Sequence, residues 1–181
     1  GGRDADVILD LAEQCVARLF DEGVSMVVVA CHTVSCVALR HLQRRHPGRK
    51  ILGVTIPAAE LAVSRSQGHI GFLGTSRTVS SGTFEIEVRK LSSTHHVVSK
   101  PAALLAPLVE EGWQDSEIAR LSVERYVAEL GAVDCIVLGC THYPLLRPVL
   151  AAIVGERVAI VDSATATASA TARSSRGARG C

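Results

Sequence analysis

The sequence predicts an α/β protein: two pseudo-symmetric lobes built on mainly parallel sheets flanked by helices, with a site in the cleft between them. Three observations carry this. Short continuous apolar runs, such as Met26–Ala30 and Cys135–Leu138, are rich in β-branched residues and are bounded by polar or turn-forming ones; such runs mark strands buried on both faces. Segments of helical period alternate with them along the chain. Two of the runs also end alike, in Ala30-Cys31-His32-Thr33 and in Gly139-Cys140-Thr141-His142.

Taken in order, Val7, Ile8, Leu11, Cys15, Leu19 and Phe20 recur at helical spacing, with Gly23 as a C-terminal stop. Ser25–Ala30 is the first strand, Val37–Leu42 the next helix, and His46-Pro47-Gly48 ends it. Ile51–Val54 is a short strand, and Pro57–Ser66 opens a helix with proline in its first turn, where the missing N–H costs nothing. His69–Leu73 is strand-like and runs into Gly74-Thr75-Ser76, followed by a polar helix to about Lys90. His95–Val98 is a weak strand; Leu104–Glu111 and Ser116–Leu130 are amphipathic helices, and Asp134–Leu138 is a strand. A helix ending at Val154 and a strand Val158–Val161 close the regular part. The first lobe is expected to comprise 1–67 plus a returning segment 145–162, and the second 68–144. Residues 163–181, small, polar and then Arg/Gly-rich, are expected to be a disordered tail, because they offer little to bury.

Composition narrows the function. With 181 residues, 48% hydrophobic and 20% charged, the chain suits a globular fold with a sizeable core. A net charge of +1 advertises neither a nucleic-acid surface nor an acidic tail. No apolar run approaches the roughly 20 residues a membrane helix needs, and no signal sequence is visible in Gly1–Asp6. Six cysteines are too sparse for a disulfide framework and point to a reducing cytoplasm.

The chemistry concentrates at the two matched strand ends, since ligands of parallel sheets bind beyond the carboxyl ends of the strands. Cys31 and Cys140 each stand there, with His32 and His142 close by as tuners of thiol acidity. Two thiols facing one cleft can remove a proton from one face of a carbon and return one to the other, inverting a stereocentre without redox change. The blander reading is a pair of small buried residues. A shared metal is excluded for Cys135 with Cys140, since five extended steps separate them by roughly 16 Å. Cys140 and Arg147 miss the spacing of a thiol phosphatase by one residue. Lys50, Lys90 and Lys100 sit in no setting suited to a Schiff base. Gly71–Thr75 lacks a complete phosphate-binding fingerprint.

Ala30-Cys31-His32-Thr33-Val34-Ser35 and Gly139-Cys140-Thr141-His142-Tyr143-Pro144-Leu145-Leu146 resemble the two catalytic signatures of the glutamate racemases, within the aspartate/glutamate racemase superfamily. Ile70–Thr75, Pro107–Gly112 and Val161–Ala164 add to the resemblance, which covers about residues 1–165. It implies cofactor-independent, two-base interconversion of L- and D-glutamate for peptidoglycan, with no metal, in a cytoplasmic protein that could form a homodimer. By motif position, Cys31 and Cys140 would be the acid/base thiols and His142 would assist Cys140. His32, Thr33, Thr75 and Thr141 would hold the substrate, and Glu110 would act behind them. His32 stands where the family usually has Asn. The family's opening Asp-Ser-Gly strand and Pro-Tyr-Gly loop have no counterpart here, so the first sheet is expected to lack strands. The alternatives are a weak or inactive relative that only binds an amino acid or partner, and a racemase for another amino acid such as aspartate.

Overall fold

The computed structural model describes residues 4–177. Helix α1 (Ala5–Asp21) leads to strand β1 (Met26–Val29), helices α2 (His32–Val37) and α3 (Leu39–Arg45), strand β2 (Lys50–Gly53) and helix α4 (Thr55–Arg65). Strand β3 (His69–Gly74), helices α5 (Ser76–Ser80) and α6 (Thr83–Leu91), strand β4 (His96–Pro101) and helices α7 (Leu105–Glu110) and α8 (Glu117–Leu130) follow. Strand β5 (Cys135–Gly139), a 3-10 turn at Tyr143–Leu146, helix α9 (Arg147–Val154), strand β6 (Ala159–Asp162) and helix α10 (Ser163–Gly177) complete the described chain. None of the described helices is long and apolar enough to cross a membrane.

All described strand pairs are parallel. β1 and β2 form one sheet, and β4-β3-β5-β6 form the other. The larger sheet is a middle layer. Ile136 and Leu138 face a core closed by Val123 and Leu130 of α8 and Leu150 of α9. The alternate residues Cys135 and Val137 face Ala58, Ala59 and Ala62 of α4 and Phe84 and Val88 of α6. A strand apolar on both sides is therefore explained by helices on both sides. In the smaller sheet, Val27, Val29 and Ile51 pack with Val16 and Phe20 of α1 and Leu42 of α3.

Two expectations are corrected. The segment 145–162 does not return to the first lobe: β6 pairs with β5 in register Cys135↔Ala159 to Leu138↔Asp162. A crossover as short as α9 returns the chain to the neighbouring position in the same sheet. Residues 163–177 are not a disordered tail but helix α10. Asp162 caps its start, accepting the Thr165 backbone N–H at 2.8 Å and its hydroxyl at 3.1 Å. The small residues are what let it lie close on α4, with Ala166 and Thr167 buried. The expected tail beyond 177 lies outside the described residues. A smaller difference is that the polar helix after Thr75 is two helices, broken at Gly82, whose φ of 62° favours glycine.

The ends of β3 and β5 approach closely. Gly74 and Gly139 are register partners, and the Phe72 ring fills the space beneath both. A Cβ at Gly139 would collide with that ring and lie 2.8 Å from the Leu73 carbonyl oxygen, and backbone cannot yield as a side chain does. Gly139→Ala is therefore expected to destabilise by about 2 kcal/mol, as overpacked cores do, lowering Tm on the order of 6 °C at this chain length. Thermal unfolding followed by circular dichroism checks this; an unchanged Tm would contradict the close approach.

Candidate functional site

β1 ends at Val29, and the chain turns at Cys31 directly into α2. Cys31 is the extended residue before the helix, and its carbonyl accepts the Ser35 N–H at 2.9 Å. Ser35 stitches the two strand ends: its hydroxyl donates to Val29 O at 3.0 Å and accepts from Val54 N at 3.2 Å. Cys140 follows Gly139 in the same way at the end of β5, and the 3-10 turn after it is anchored by the Tyr143 hydroxyl donating to Ala102 O at 2.7 Å. Because Gly74 pairs with Gly139, Thr75 and Cys140 are side by side at the sheet's carboxyl edge.

The two thiols stand at corresponding strand ends, one beyond each sheet, and a negative charge on Cys31 would oppose ionisation of Cys140. Burial, the larger effect, pushes the Cys140 thiol up from its ordinary range, while the His142 backbone N–H and Thr141 pull it partly back. The His142 ring bridges Cys140 and a carboxylate. Nδ1 lies 3.7 Å from Cys140 Sγ, and Nε2 lies 3.2 Å from Glu110 Oε1. With Nε2–H donating to the carboxylate, the Nδ1 lone pair faces the thiol and can receive its proton. Glu110 is exposed, so it orients the ring more than it stabilises the fold.

Across the cleft, the Thr33 hydroxyl reaches Thr75 Oγ1 at 3.1 Å and Thr78 Oγ1 at 3.0 Å. This joins the start of α2 to the end of β3. Thr141 is exposed beside Cys140. His32 is turned inward. It is 2% exposed and stands edge-on to Phe72, and its Nε2 makes a very short hydrogen bond with Ser163 Oγ. Ser163 in turn donates to Leu138 O at 3.5 Å, so Nε2 carries the proton. Nδ1 is then an acceptor with no partner among the described residues. Burial holds the imidazole neutral, with its pKa lowered to about 4.

A cavity of about 610 Å³ opens between the two sheets and α10. Cys140, Thr141 and His32 line it with Ser163 and Thr167, while Val28, Ala30 and Leu138 make its walls largely apolar. Cys31, Thr33 and Thr75 are not among its lining residues. The other thiols differ in setting: Cys135 is fully buried and pushed up to about 12, and Cys36 is half-buried against the Thr55 hydroxyl at 3.5 Å.

Known proteins share this chain's sequence pattern and fold. Residues 2–171 match the model of the Asp/Glu/Hydantoin racemase family. The chain belongs to this family. A glutamate racemase of Chlorobaculum tepidum is 37% identical over 172 residues, covering 93% of this chain and 63% of that protein. The crystal structure of a Bacillus anthracis glutamate racemase superposes with a TM-score of 0.89 at 29% identity, over 97% of this chain and 68% of that one. A Thermus thermophilus glutamate racemase, solved in complex with β-chloro-D-alanine, gives 0.81 at 33% identity, over 97% and 66%. The chain spans less than two thirds of the length of the first curated relatives it matches, 63% and 66% for two of them.

Ser163 and Thr78 escaped the reading of the sequence as contributors to the site. Ser163 was legible in principle, because Asp162 at a strand end before an alanine-rich run is an N-cap signal. Thr78 had only its place one turn after Thr75.

The buried neutral His32 sets a pH dependence. Its pKa is 6.5 in the unfolded chain and about 4 in the fold, so between these values the unfolded state binds more protons. The stability is fully present above about pH 6.5 and is lost as pH falls towards 4, by an amount on the order of 3 kcal/mol. Urea unfolding at pH 7, 5 and 4 is expected to show this loss in the wild type and a shallower one in His32→Gln. Equal slopes would contradict the buried neutral imidazole.

Proposed function

We propose that the protein interconverts L- and D-glutamate without a cofactor, by a two-base mechanism at Cys31 and Cys140. The observation that carries this reading is the pair of thiols at matched strand ends, one beyond each sheet, with the His142 ring bridging Cys140 and Glu110. One thiolate removes the α-proton from one face, leaving its electron pair on Cα. The opposite thiol delivers its proton to the other face and becomes the thiolate. Protons and charge balance, and the two sulfurs have exchanged roles.

His142 fits as the group that takes or returns the Cys140 proton through Nδ1, oriented by Glu110. Thr33, Thr75 and Thr141 offer hydroxyls for the substrate's carboxylates. His32 serves as a tether between the halves through Ser163 and Phe72. A relative that holds β-chloro-D-alanine supports an amino acid as the ligand class. The five cysteines among the described residues are free, which suits a cytoplasmic setting where D-glutamate would feed peptidoglycan.

A second reading, amino-acid binding without turnover, is favoured by the first sheet. There β1 pairs with β2 alone among the described residues, and Val28 is 37% exposed. Incubation with L-glutamate in deuterium oxide separates the two. Loss of the Cα–H signal by NMR is expected for the wild type, reduced at least about 100-fold by Cys31→Ala or Cys140→Ala, as for loss of a general acid or base. A folded wild type that binds glutamate but exchanges nothing would support binding alone, and exchange of aspartate in its place would correct the substrate. Because the Cys140 thiol is raised, the direction in which it acts as base is expected to keep accelerating with pH above the ordinary thiol range near 8.5. A rate in that direction already flat by pH 8 would contradict this.

A further inference from the structure

The hydroxyls of Thr33, Thr75 and Thr78 form a closed triangle, with edges of 3.1, 3.0 and 2.9 Å. Each hydroxyl has one proton to donate and two lone pairs to accept with. Three protons therefore fill three edges, and none is left for a ligand. A fourth donor enters from the backbone: the Thr78 N–H points at Thr75 Oγ1 at 3.3 Å. Thr78 is 1% exposed and Thr33 7%, while Thr75 is half-buried beside Cys140 at the carboxyl edge of the sheet. Thr78 is thus placed to act through its neighbours and not on a ligand itself.

We propose that Thr78 is a positioning residue that directs the hydroxyl protons of Thr33 and Thr75 onto a carboxylate of the substrate. The inference rests on the reading of the site as one for an amino dicarboxylate. When the anion enters, Thr33 and Thr75 swing their O–H groups out to it. Thr33 Oγ1 then accepts the Thr78 O–H, and Thr75 Oγ1 accepts the Thr78 backbone N–H. Both oxygens keep a donor, so turning outward leaves no buried lone pair bare, and two neutral hydrogen bonds of the triangle are replaced by two charge-assisted ones. Without the Thr78 hydroxyl, Thr33 Oγ1 has only the Thr75 proton to satisfy it. One hydroxyl then remains for the anion. The same exchange explains why the triangle spans the two halves: the carboxylate would be gripped by one threonine from each.

Thr78→Val removes the hydroxyl and keeps the backbone N–H and nearly the shape; Thr78→Ser keeps the hydroxyl. Calorimetric titration with glutarate, a dicarboxylate that cannot be racemised, reads binding apart from turnover. The Val variant is expected to bind glutarate about tenfold more weakly, the loss of one hydrogen bond to a charged group, and the Ser variant to return to within about twofold. In the turnover assay the same split appears as a raised KM with kcat little changed. Equal affinity in wild type and Thr78→Val overturns the proposal. So does a weakening that Ser does not rescue or that tracks a fallen Tm, or a wild type that binds no dicarboxylate. Failure of the racemase reading looks different: glutarate binds and the Thr78 pattern holds, while L-glutamate loses no α-proton.

Discussion

The structure depends on one close approach, that of the Phe72 ring to the paired glycines at the ends of β3 and β5. Because Gly74 and Gly139 lack side chains, the ring can lie directly beneath both strand ends. It stacks on Phe84 of α6, with centroids 4.3 Å apart, and takes the edge of His32 from α2 at 5.7 Å. One aromatic side chain thereby sets the level at which Thr75 and Cys140 leave the sheet. It also sets the depth to which the first half of the chain can dock. Interiors are packed too densely for such a contact to relax gradually.

Among the polar contacts that join the halves, two lie close to the chemistry. His32 reaches Ser163 at the start of α10, while Thr33 reaches Thr75 and Thr78 at the start of α5. Away from the site, α4 does the bulk of the joining: its alanines are packed against the second sheet although it follows directly from β2 of the first. Small residues on that helix, and again on α10, permit close packing in two layers. The result is a first sheet held by its connections and a second sheet covered on both faces. Burial at the junction raises the Cys140 thiol and keeps His32 neutral, so packing and acid–base character have one cause.

The strand–helix alternation and both thiol-bearing turns were legible because their signals are local. A β-branched run followed at once by Cys and small polar residues states its role within eight or so positions. His142 was legible beside Cys140 as a tuner of its acidity, whereas Glu110 was named on resemblance, and the 32 positions between them hid the contact they make. The tail was misread for a physical reason: Ala, Ser and Thr bury little area and so resemble an unfolded segment by composition. Small size is nevertheless what an intimate helix–helix contact needs, and the Asp162 cap marks where that helix starts. The assignment of 145–162 to the first lobe failed because strand order is a pairing property that no run of side chains encodes by itself.

What the sequence determined alone was the class of fold, the two strand-end thiols and the residue types around them, since each follows from periodicity or from chemistry carried by adjacent residues. Tertiary structure decided which groups meet. His32 reads as a cleft residue in the chain and does line the cavity, yet its ring is buried against Phe72 and Ser163, contributed by β3 and α10. Thr78 reads as nothing in particular, yet it closes a hydroxyl triangle with a residue 45 positions away. The reason is common to both: partners so distant in sequence are chosen by the packing of the two sheets, and local pattern carries no record of that packing.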